Sequence, residues 1–297
     1  MKRDPRVSIG LPVYNGEDFL ETALLSILAQ TYEDFELIVS DNGSTDRTEQ
    51  ICRQYASRDP RIRYLREETN RGAAWNYNRV FELSRGEFFK WQAHDDVCLP
   101  TMLQRCIETF VHAPESVVLV FPRVDIIDKH GARMTAFRPE SLDARHDSAS
   151  RRLSVVLREL NMACAVFGLA RASALRRSRL IGPFVASDYA LLAEMAMLGP
   201  LWEIPETLFQ RRVHPRISTY AHRSPRELLR WYSPTSAARV RLLSLANDVA
   251  GRRVHPVDRA PAARYSRATL MPRCCDLRLV LARDAKPRRA LQAYVNG

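Results

Sequence analysis

Over the first 120 residues the apolar positions follow two alternating rhythms. Short continuous runs, Val7 to Val13, Phe35 to Ser40, Ile62 to Leu65, Glu87 to Gln92 and Val117 to Phe121, have the length and the β-branched or aromatic content of strands covered on both faces. Between them the apolar residues recur at helical spacing. Leu20, Leu24, Ile27 and Leu28 share one helix face, Ile51, Cys52 and Tyr55 another, and a third helix is predicted from about 72 to 83. Ser44, Thr45 and Asp46 are N-cap candidates for the second helix, and Pro100 suits the first position of the helix that follows Asp95 and Asp96. Strand and helix in strict alternation predict βα units: an α/β fold with a Rossmann-like, mostly parallel central sheet flanked by helices.

Beyond residue 122 the alternation fades. Asp128-Lys129-His130-Gly131 predicts a hairpin turn, and the polar stretch from 139 to 151 reads as a mobile loop. Helical patterns return at about 151 to 160 and 187 to 198, and Thr207 to Val213 has strand character. Ser224-Pro225-Arg226-Glu227 is a helix start, after which Leu228, Leu229, Trp231, Leu242, Leu243 and Leu245 mark one or two basic amphipathic helices. Residues 252 to 297 are punctuated by Pro and Arg and are expected to be partly disordered. The pattern divides the chain into a domain at 1–222, with halves at about 1–122 and 123–222, and a basic helical C-terminal extension at 223–297.

A chain of 297 residues, 46% hydrophobic and 27% charged, is long enough for one large domain with an appendage, and it is not collagen-like, coiled-coil or wholly disordered. Its longest small-or-apolar stretch, Met162 to Ala170, is far short of the roughly 20 residues that cross a bilayer. Met1 to Pro5 lead straight into a strand pattern with no secretory run, so a cytoplasmic location is expected. Six cysteines stand at 52, 98, 106, 164, 274 and 275 without a Cys-x-x-Cys spacing, and are expected as small buried hydrophobes. The adjacent Cys274 and Cys275 carry no assigned function.

Charge changes this picture at one end only. Residues 1–210 hold 26 Lys and Arg against 29 Asp and Glu, whereas residues 211–297 hold 19 against 5, so the formal charge of +11 resides in the tail. Two readings stay open: a general preference for Arg, 41 against 4 Lys, or attraction to phosphates and anionic membrane. The basic segment from about 224 to 250 could seat the protein peripherally on the inner face of a membrane, cover a cleft, or form a homodimer contact.

In open α/β sheets, ligands sit beyond the carboxyl ends of the strands. The polar residues of this chain collect there: Pro12-Val13-Tyr14-Asn15-Gly16 after the first strand, Asp41-Asn42-Gly43-Ser44-Thr45-Asp46 after the second, Asn70-Arg71-Gly72-Ala73 after the third and His94-Asp95-Asp96 after the fourth. A carboxylate accepts from a nucleobase ring N–H, Tyr14 can stack on a base, and Gly72 permits close backbone approach. Asp95 and Asp96 supply the hard oxygens that suit Mg²⁺ or Mn²⁺ on a diphosphate. No P-loop and no Gly-x-Gly-x-x-Gly fingerprint is present.

In that order these motifs resemble the family 2 glycosyltransferases of the GT-A fold, from about Val7 to Ser218. The resemblance implies a base and ribose pocket of Pro12, Tyr14 and Asp41, with Asn15, Asn42, Arg71 and Gly72 beside the donor. It implies Asp96 as metal ligand for Mg²⁺ or Mn²⁺ and Asp95 as a sugar or phosphate contact. Ala93 stands where the family's Asp-x-Asp-Asp element has its first Asp, and His94 fills the variable place as a supporting group or a strand cap. Asp188, in Val185-Ala-Ser-Asp-Tyr189, holds the place of the catalytic base, although Ser187 replaces the usual Glu. The alternative is that Ser187 or Asp188 merely caps the helix to Leu198, and the other motifs favour catalysis. Arg211-Arg212-Val213-His214-Pro215-Arg216-Ile217-Ser218 resembles the family's Arg-x-His…Ser element, with His214 as a further metal ligand in place of the missing Asp.

The implied activity is inverting transfer of a sugar from a nucleotide-diphosphate donor, UDP or dTDP sugar favoured, to a hydroxyl of a glycan, lipid-linked or small-molecule acceptor. Trp75, Trp91 and Trp202 are candidates to stack on sugar faces, with Trp91 expected in the core. Two rival classes remain at this level. A nucleotidyltransferase would need a Gly-rich, Lys- or Arg-bearing loop near the N-terminus, which is lacking. A nucleic-acid-binding protein acting through the basic tail would show interleaved aromatics there, and no specific nucleic-acid motif is found.

Overall fold

The computed structural model describes residues 3–136, 139–217 and 225–234. The expectations for Ser218 to Ser224 and for 235–297, with Cys274, Cys275 and most of the basic extension, lie outside the described residues. Among the described residues no helix is long and apolar enough to cross a membrane.

Eight strands form one sheet: β1 (Val7–Val13), β2 (Phe35–Asp41), β3 (Ile62–Arg66), β4 (Phe88–Trp91), β5 (Val97–Cys98), β6 (Leu119–Ile127), β7 (Leu169–Arg171) and β8 (Leu201–Arg212). Their spatial order is β3-β2-β1-β4-β7-β6-β8-β5. β1 is parallel to β2 on one side and to β4 on the other, with Val13 opposite Asp41 and Gly10 opposite Trp91. β7 is antiparallel to both β4 and β6, β6 is parallel to β8, and β5 is antiparallel to β8. All strands except β5 and β7 therefore point the same way, the mostly parallel sheet that the alternation predicts.

β1 and β2 are buried at every position, which is why they read as unbroken apolar runs. The helices are α1 (Leu20–Leu28), α2 (Thr48–Ala56), α3 (Ala73–Glu82), α4 (Met102–His112), α5 (Ala149–Glu159), α6 (Ala172–Leu175), α7 (Ser187–Leu198) and α8 (Pro225–Tyr232). α3 packs on β1 and β2, and α4 on β6 and β8. Close approach of α3 depends on Gly10: a Cβ there would stand 2.6 Å from Val80 Cγ2 and 2.7 Å from Phe89 Cζ. The amino ends of β1 and β2 are fastened by one buried carboxylate. Glu36 accepts from Ser8 Oγ at 2.7 Å, the Arg85 main-chain N at 3.0 Å and Arg85 Nη2 at 2.8 Å, and Ser8 Oγ in turn accepts from Gly86 N at 2.8 Å.

Several elements differ from the sequence expectation for identifiable reasons. β5 and β7 have two and three residues, too short to show a period. β8 begins at Leu201, six residues before the expected strand, because Pro205 interrupts its pattern without ending it. Pro122 faces Ile204, Arg123 faces Thr207 and Val124 faces Phe209, so β8 bulges against β6 in two places, with Pro205 looped out. Pro100 is not the first helical residue; α4 starts at Met102 behind Thr101, and the Pro100 carbonyl accepts from Thr31 N at 2.8 Å. Ser44 does not cap α2: its Oγ accepts from Asn15 N, and Asp46 Oδ1 serves Thr48 N instead.

The expected hairpin forms, with Gly131 at φ +86° and Asp128 Oδ1 accepting from His130 N and Ala132 N. The stretch from 139 to 151, read as a mobile loop, is laid against β8. Leu142 and Ala144 are buried, Ala144 bridges Leu201, Leu142 N donates to Glu203 Oε2 at 3.0 Å, and Arg145 covers the Trp202 ring at 4.3 Å.

Because the space beside Gly10 is already filled by α3, Gly10→Ala is expected to destabilise the fold by about 1–3 kcal/mol through overpacking. Urea unfolding should show a lower midpoint with the slope unchanged; a midpoint equal to the parent's would mean that α3 can shift at no cost.

Candidate functional site

The chain places β2 and β3 on one side of β1 and then returns to place β4 on the other. The order of strands reverses there, which opens a crevice beyond the carboxyl ends of β1 and β4. The loop after β1 is fixed from the loop after β2. Asn15 has a left-handed φ of 52°; its N donates to Ser44 Oγ at 2.9 Å, its Oδ1 accepts from Thr45 N at 2.8 Å, and Gly16 N donates to Thr48 Oγ1 at 2.9 Å. Tyr14 stands on this braced loop 41% exposed, whereas Pro12 is buried in β1.

Asp41 ends β2 with its side chain wholly buried. Oδ1 accepts from Ser44 N at 2.8 Å, Oδ2 accepts from the Tyr64 hydroxyl at 2.8 Å, and Arg66 Nε is 3.5 Å from Oδ2. The carboxylate therefore shapes the 41–46 loop, and a base would reach it only where Tyr64 now bonds. Burial and this bond raise the Tyr64 pKa. Asn42 is equally occupied: its Nδ2 donates to Asn70 Oδ1 and Gly72 O, and its Oδ1 accepts from Arg71 N. It acts on the 70–72 loop from within rather than facing the crevice.

Arg71 is half exposed, 3.9 Å over the Trp75 ring, with Arg79 on the same ring at 4.9 Å. Of the candidate sugar platforms, Trp75 thus has arginines on its ring and Trp91 is core, its indole N–H donating to Tyr77 O. Gly72 has φ 92°, and a Cβ would meet Tyr232 O at 2.6 Å and Pro234 Cδ at 2.7 Å. The close approach that this glycine permits is made by the end of α8.

The acid pair lies on the turn between β4 and β5. Asp96 Oδ1 accepts from Arg212 N at 2.8 Å, and the Asp95 carbonyl accepts from Arg212 Nε at 2.9 Å. Arg212 Nη1 also reaches Asp128 O at 3.0 Å, tying the hairpin to the same turn. His214 Nε2 is 2.9 Å from Asp95 Oδ2, and its Nδ1 faces Arg216 N at 3.3 Å. A main-chain N–H only donates, so Nδ1 is the acceptor and Nε2 carries the proton given to Asp95. His214 is thereby the hydrogen-bond partner of Asp95, with its imidazole beside the acid pair where the sequence expects a further metal ligand. His94 packs over the β1 loop, where a Cβ on Gly16 would stand 2.7 Å from its ring.

Burial would raise the Asp95 pKa, but His94 and the bond from His214 outweigh it and hold the carboxyl below its usual value. Asp96 goes the other way, raised by burial and by the charge of Asp95 beside it. Two buried carboxylates that disfavour each other's charge fit a divalent cation, and a Mg²⁺-type ion that keeps waters and phosphate oxygens needs only one or two of them. Among the described residues no group of three His, Cys, Asp or Glu side chains converges as a closed metal cage.

Asp188 lies in the first turn of α7, just after Ala186 at a left-handed φ of 65°. No side chain caps this helix; Asp188 Oδ1 accepts from the neighbouring Tyr189 N at 3.1 Å. Burial raises the Asp188 pKa and Arg211 opposes the rise. Arg211 donates to the Met162 carbonyl and lies 3.6 Å from Cys164 Sγ, on a loop held by Glu140, whose oxygens accept from Met162 N at 2.9 Å and Cys164 N at 2.5 Å. The field of Arg211 reaches both Asp96 and Asp188, and Tyr77 feels Asp95, Asp96 and Asp188 together. Tyr64, Tyr77 and Glu140 had no signal in the sequence, since each acts through a partner far along the chain. The four described cysteines are buried and free, and burial pushes the thiols of Cys52, Cys106 and Cys164 up to about 12, so none is a nucleophile.

With this geometry in view, the comparisons with known proteins agree. The sequence profile described as Glycosyl transferase family 2 matches residues 8–178. An uncharacterised glycosyltransferase of Nostoc sp. is 30% identical over 216 residues, 70% of this chain and 65% of the relative. The chain spans from 20% to 65% of the length of the curated relatives it matches. Among solved structures, S. aureus TarS in complex with UDP-GlcNAc superposes with a TM-score of 0.57 at 17% identity, over 70% of this chain and 59% of that one. A mannosyltransferase of Pyrobaculum calidifontis in complex with GDP-Man and Mn²⁺ does so at 0.53 and 18% identity, over 85% of this chain and 77% of that one. The sheet order, the ordered motifs at the strand ends and the profile match together make this chain a member of glycosyltransferase family 2, with a GT-A fold.

Proposed function

We propose that the chain is an inverting glycosyltransferase that moves a sugar from a nucleoside-diphosphate donor to an acceptor hydroxyl in the crevice beyond β1 and β4. One observation carries the reading. The acid pair Asp95–Asp96 and the lone Asp188 come from distant parts of the chain yet all stand close enough to Tyr77 for their charges to raise its pKa, with Arg211 acting on both Asp96 and Asp188. A cation-holding end and a base end at one crevice are what a displacement at the anomeric carbon requires.

Asp188 takes the proton of the acceptor hydroxyl as its oxygen bonds to the anomeric carbon. The bond to the diphosphate breaks on the opposite face, and the Arg211 guanidinium offsets the charge of the leaving group. Asp96, with Asp95, would hold Mg²⁺ or Mn²⁺, and when bound the ion would supply Lewis-acid neutralisation of the leaving diphosphate. Tyr14 offers an exposed ring for the base, and Asp41 a carboxylate for the base N–H once Tyr64 yields its place. A carboxylate suits the imide of uracil or thymine, so UDP or dTDP sugars are favoured. The UDP-GlcNAc bound by TarS and the Mn²⁺ of the mannosyltransferase agree with this reading. Cell-surface polysaccharide, another glycan, a lipid-linked sugar and a natural-product glycoside remain the acceptor classes. The family match over residues 8–178 favours this reading over a nucleotidyltransferase.

Calorimetric titration with UDP, dTDP and GDP, each with and without Mn²⁺, is expected to show metal-enhanced binding of a uracil or thymine diphosphate. Asp96→Ala should abolish the enhancement while the circular dichroism melt stays cooperative. Enhancement that survives this change would move the cation away from the acid pair.

Asp188→Asn should bind donor as the parent does and lose about 10²–10⁴-fold in kcat, the usual worth of a positioned base. Only ionised Asp188 is active and its folded pKa is raised. Transfer should therefore fall, as the pH drops, at a pH above the roughly 3.9 of a free aspartate. An acid limb at or below that value in the parent, or full turnover by Asp188→Asn, would remove Asp188 from the chemistry.

A further inference from the structure

Lys90 lies in β4 with its side chain 0% exposed. An ammonium that is stripped of water without an ion-pair partner is costly, so its environment should show what it does. Nζ donates to Trp91 O and to Gln92 Oε1, both at 2.9 Å, and stands 4.7 Å from the centre of the Phe209 ring. Among the described residues no ion pair closes on it.

The consequence passes through Gln92, which is also fully buried. Its Oε1 accepts from Lys90 Nζ and from Cys98 Sγ, the latter at 2.9 Å. Its Nε2 donates to Ala93 O at 3.2 Å and Asp96 O at 2.9 Å. An ammonium can only donate, so the amide oxygen must face Lys90 and the amide nitrogen must face the 93–96 turn. With a neutral side chain at position 90 the amide oxygen keeps only the weak Cys98 thiol as donor, so Gln92 is held less firmly against the two carbonyls of the turn.

We propose that Lys90 is a positioning residue of the acid pair: it sets the orientation of Gln92, and Gln92 holds the turn that presents Asp95 and Asp96. The turn has special need of support from beneath, because the place of the family's first acid is filled by Ala93, which is 9% exposed and has no polar side-chain atom. The inference rests on the reading of Asp95 and Asp96 as the cation-holding end of the site.

The test is a titration of the full chain with Mn²⁺ in the presence of UDP, free Mn²⁺ being followed by its electron paramagnetic resonance signal well below each melting temperature. Lys90→Met is expected to weaken Mn²⁺ uptake by about 10- to 100-fold, the range for groups that orient metal ligands, with metal-free UDP binding unchanged. Gln92→Leu should give the same loss, and the double variant no more than either single one, because the two act in series. Phe209→Leu removes the ring but none of these hydrogen bonds, so it should lower the melting temperature and leave uptake as in the parent. Equal uptake by the parent and Lys90→Met overturns the inference and leaves the metal reading standing. Losses that add in the double variant overturn it as well, since Lys90 then acts by another route. A parent that takes up no Mn²⁺ overturns the metal reading and the inference together. Where Lys90→Met does not fold, Gln92→Leu decides alone, full uptake counting against the proposal.

Discussion

The hydrogen bond from the main-chain N–H of Arg212 to Asp96 extends the pairing of β5 with β8 onto the turn that comes from β4, and β7 and β6 lie between β4 and β8. The site depends on this crossing. After β4 the chain leaves the middle of the sheet, makes the turn that carries both acids, and pairs as β5 with the outer side of β8. The turn is thereby anchored in two distant parts of one sheet, and the crevice between them has walls that cannot drift apart without breaking strand pairing. A carboxylate anchored by a main-chain donor is held more firmly than one facing a flexible side chain, because a strand has no rotamers to lose.

Two arginines adjacent in sequence divide the work of the crevice. Successive residues of a strand point to opposite faces. Arg212 is buried with its guanidinium on the Asp95 and Asp128 carbonyls, while Arg211 reaches the 162–164 loop and the field of Asp188. One therefore fixes main chain and the other sits among charges. Burying acids in this way is weak evidence for stability, because the desolvation of each is offset only while its partners remain. The energy is better understood as the cost of holding charge where a reaction needs it, and the neutral part of the sheet, fastened by Glu36 at the opposite end, carries that cost.

What the sequence disclosed follows from how local each signal is. β1, β2 and α7 were legible because continuous burial or a regular helical run writes itself into consecutive residues. β5 and β7 were not, being pieces of a sheet completed by partners far along the chain. The strand-end motifs located the crevice, but not the partner of each side chain within it. Asp41 reads as a surface acceptor until Tyr64 and Ser44 are seen to occupy it. His214 reads as a lone histidine until its Nε2 is found 2.9 Å from Asp95 Oδ2. Lys90 passes in the sequence as one residue of the strand from Glu87 to Gln92, and its contact with Gln92 is seen only in three dimensions.

The bulged stretch of β8 has a consequence for how this chain can vary. Between the pairs Pro122–Ile204 and Val124–Phe209, β8 advances by five residues while β6 advances by two, an odd excess. Loss or gain of a single residue near Pro205 would change that parity and exchange the directions of Arg211 and Arg212. Pro205 itself is exposed and contributes no group to the crevice. Related chains can be expected to differ there in letter but not in length, a short ruler drawn in residues whose identity is nearly free.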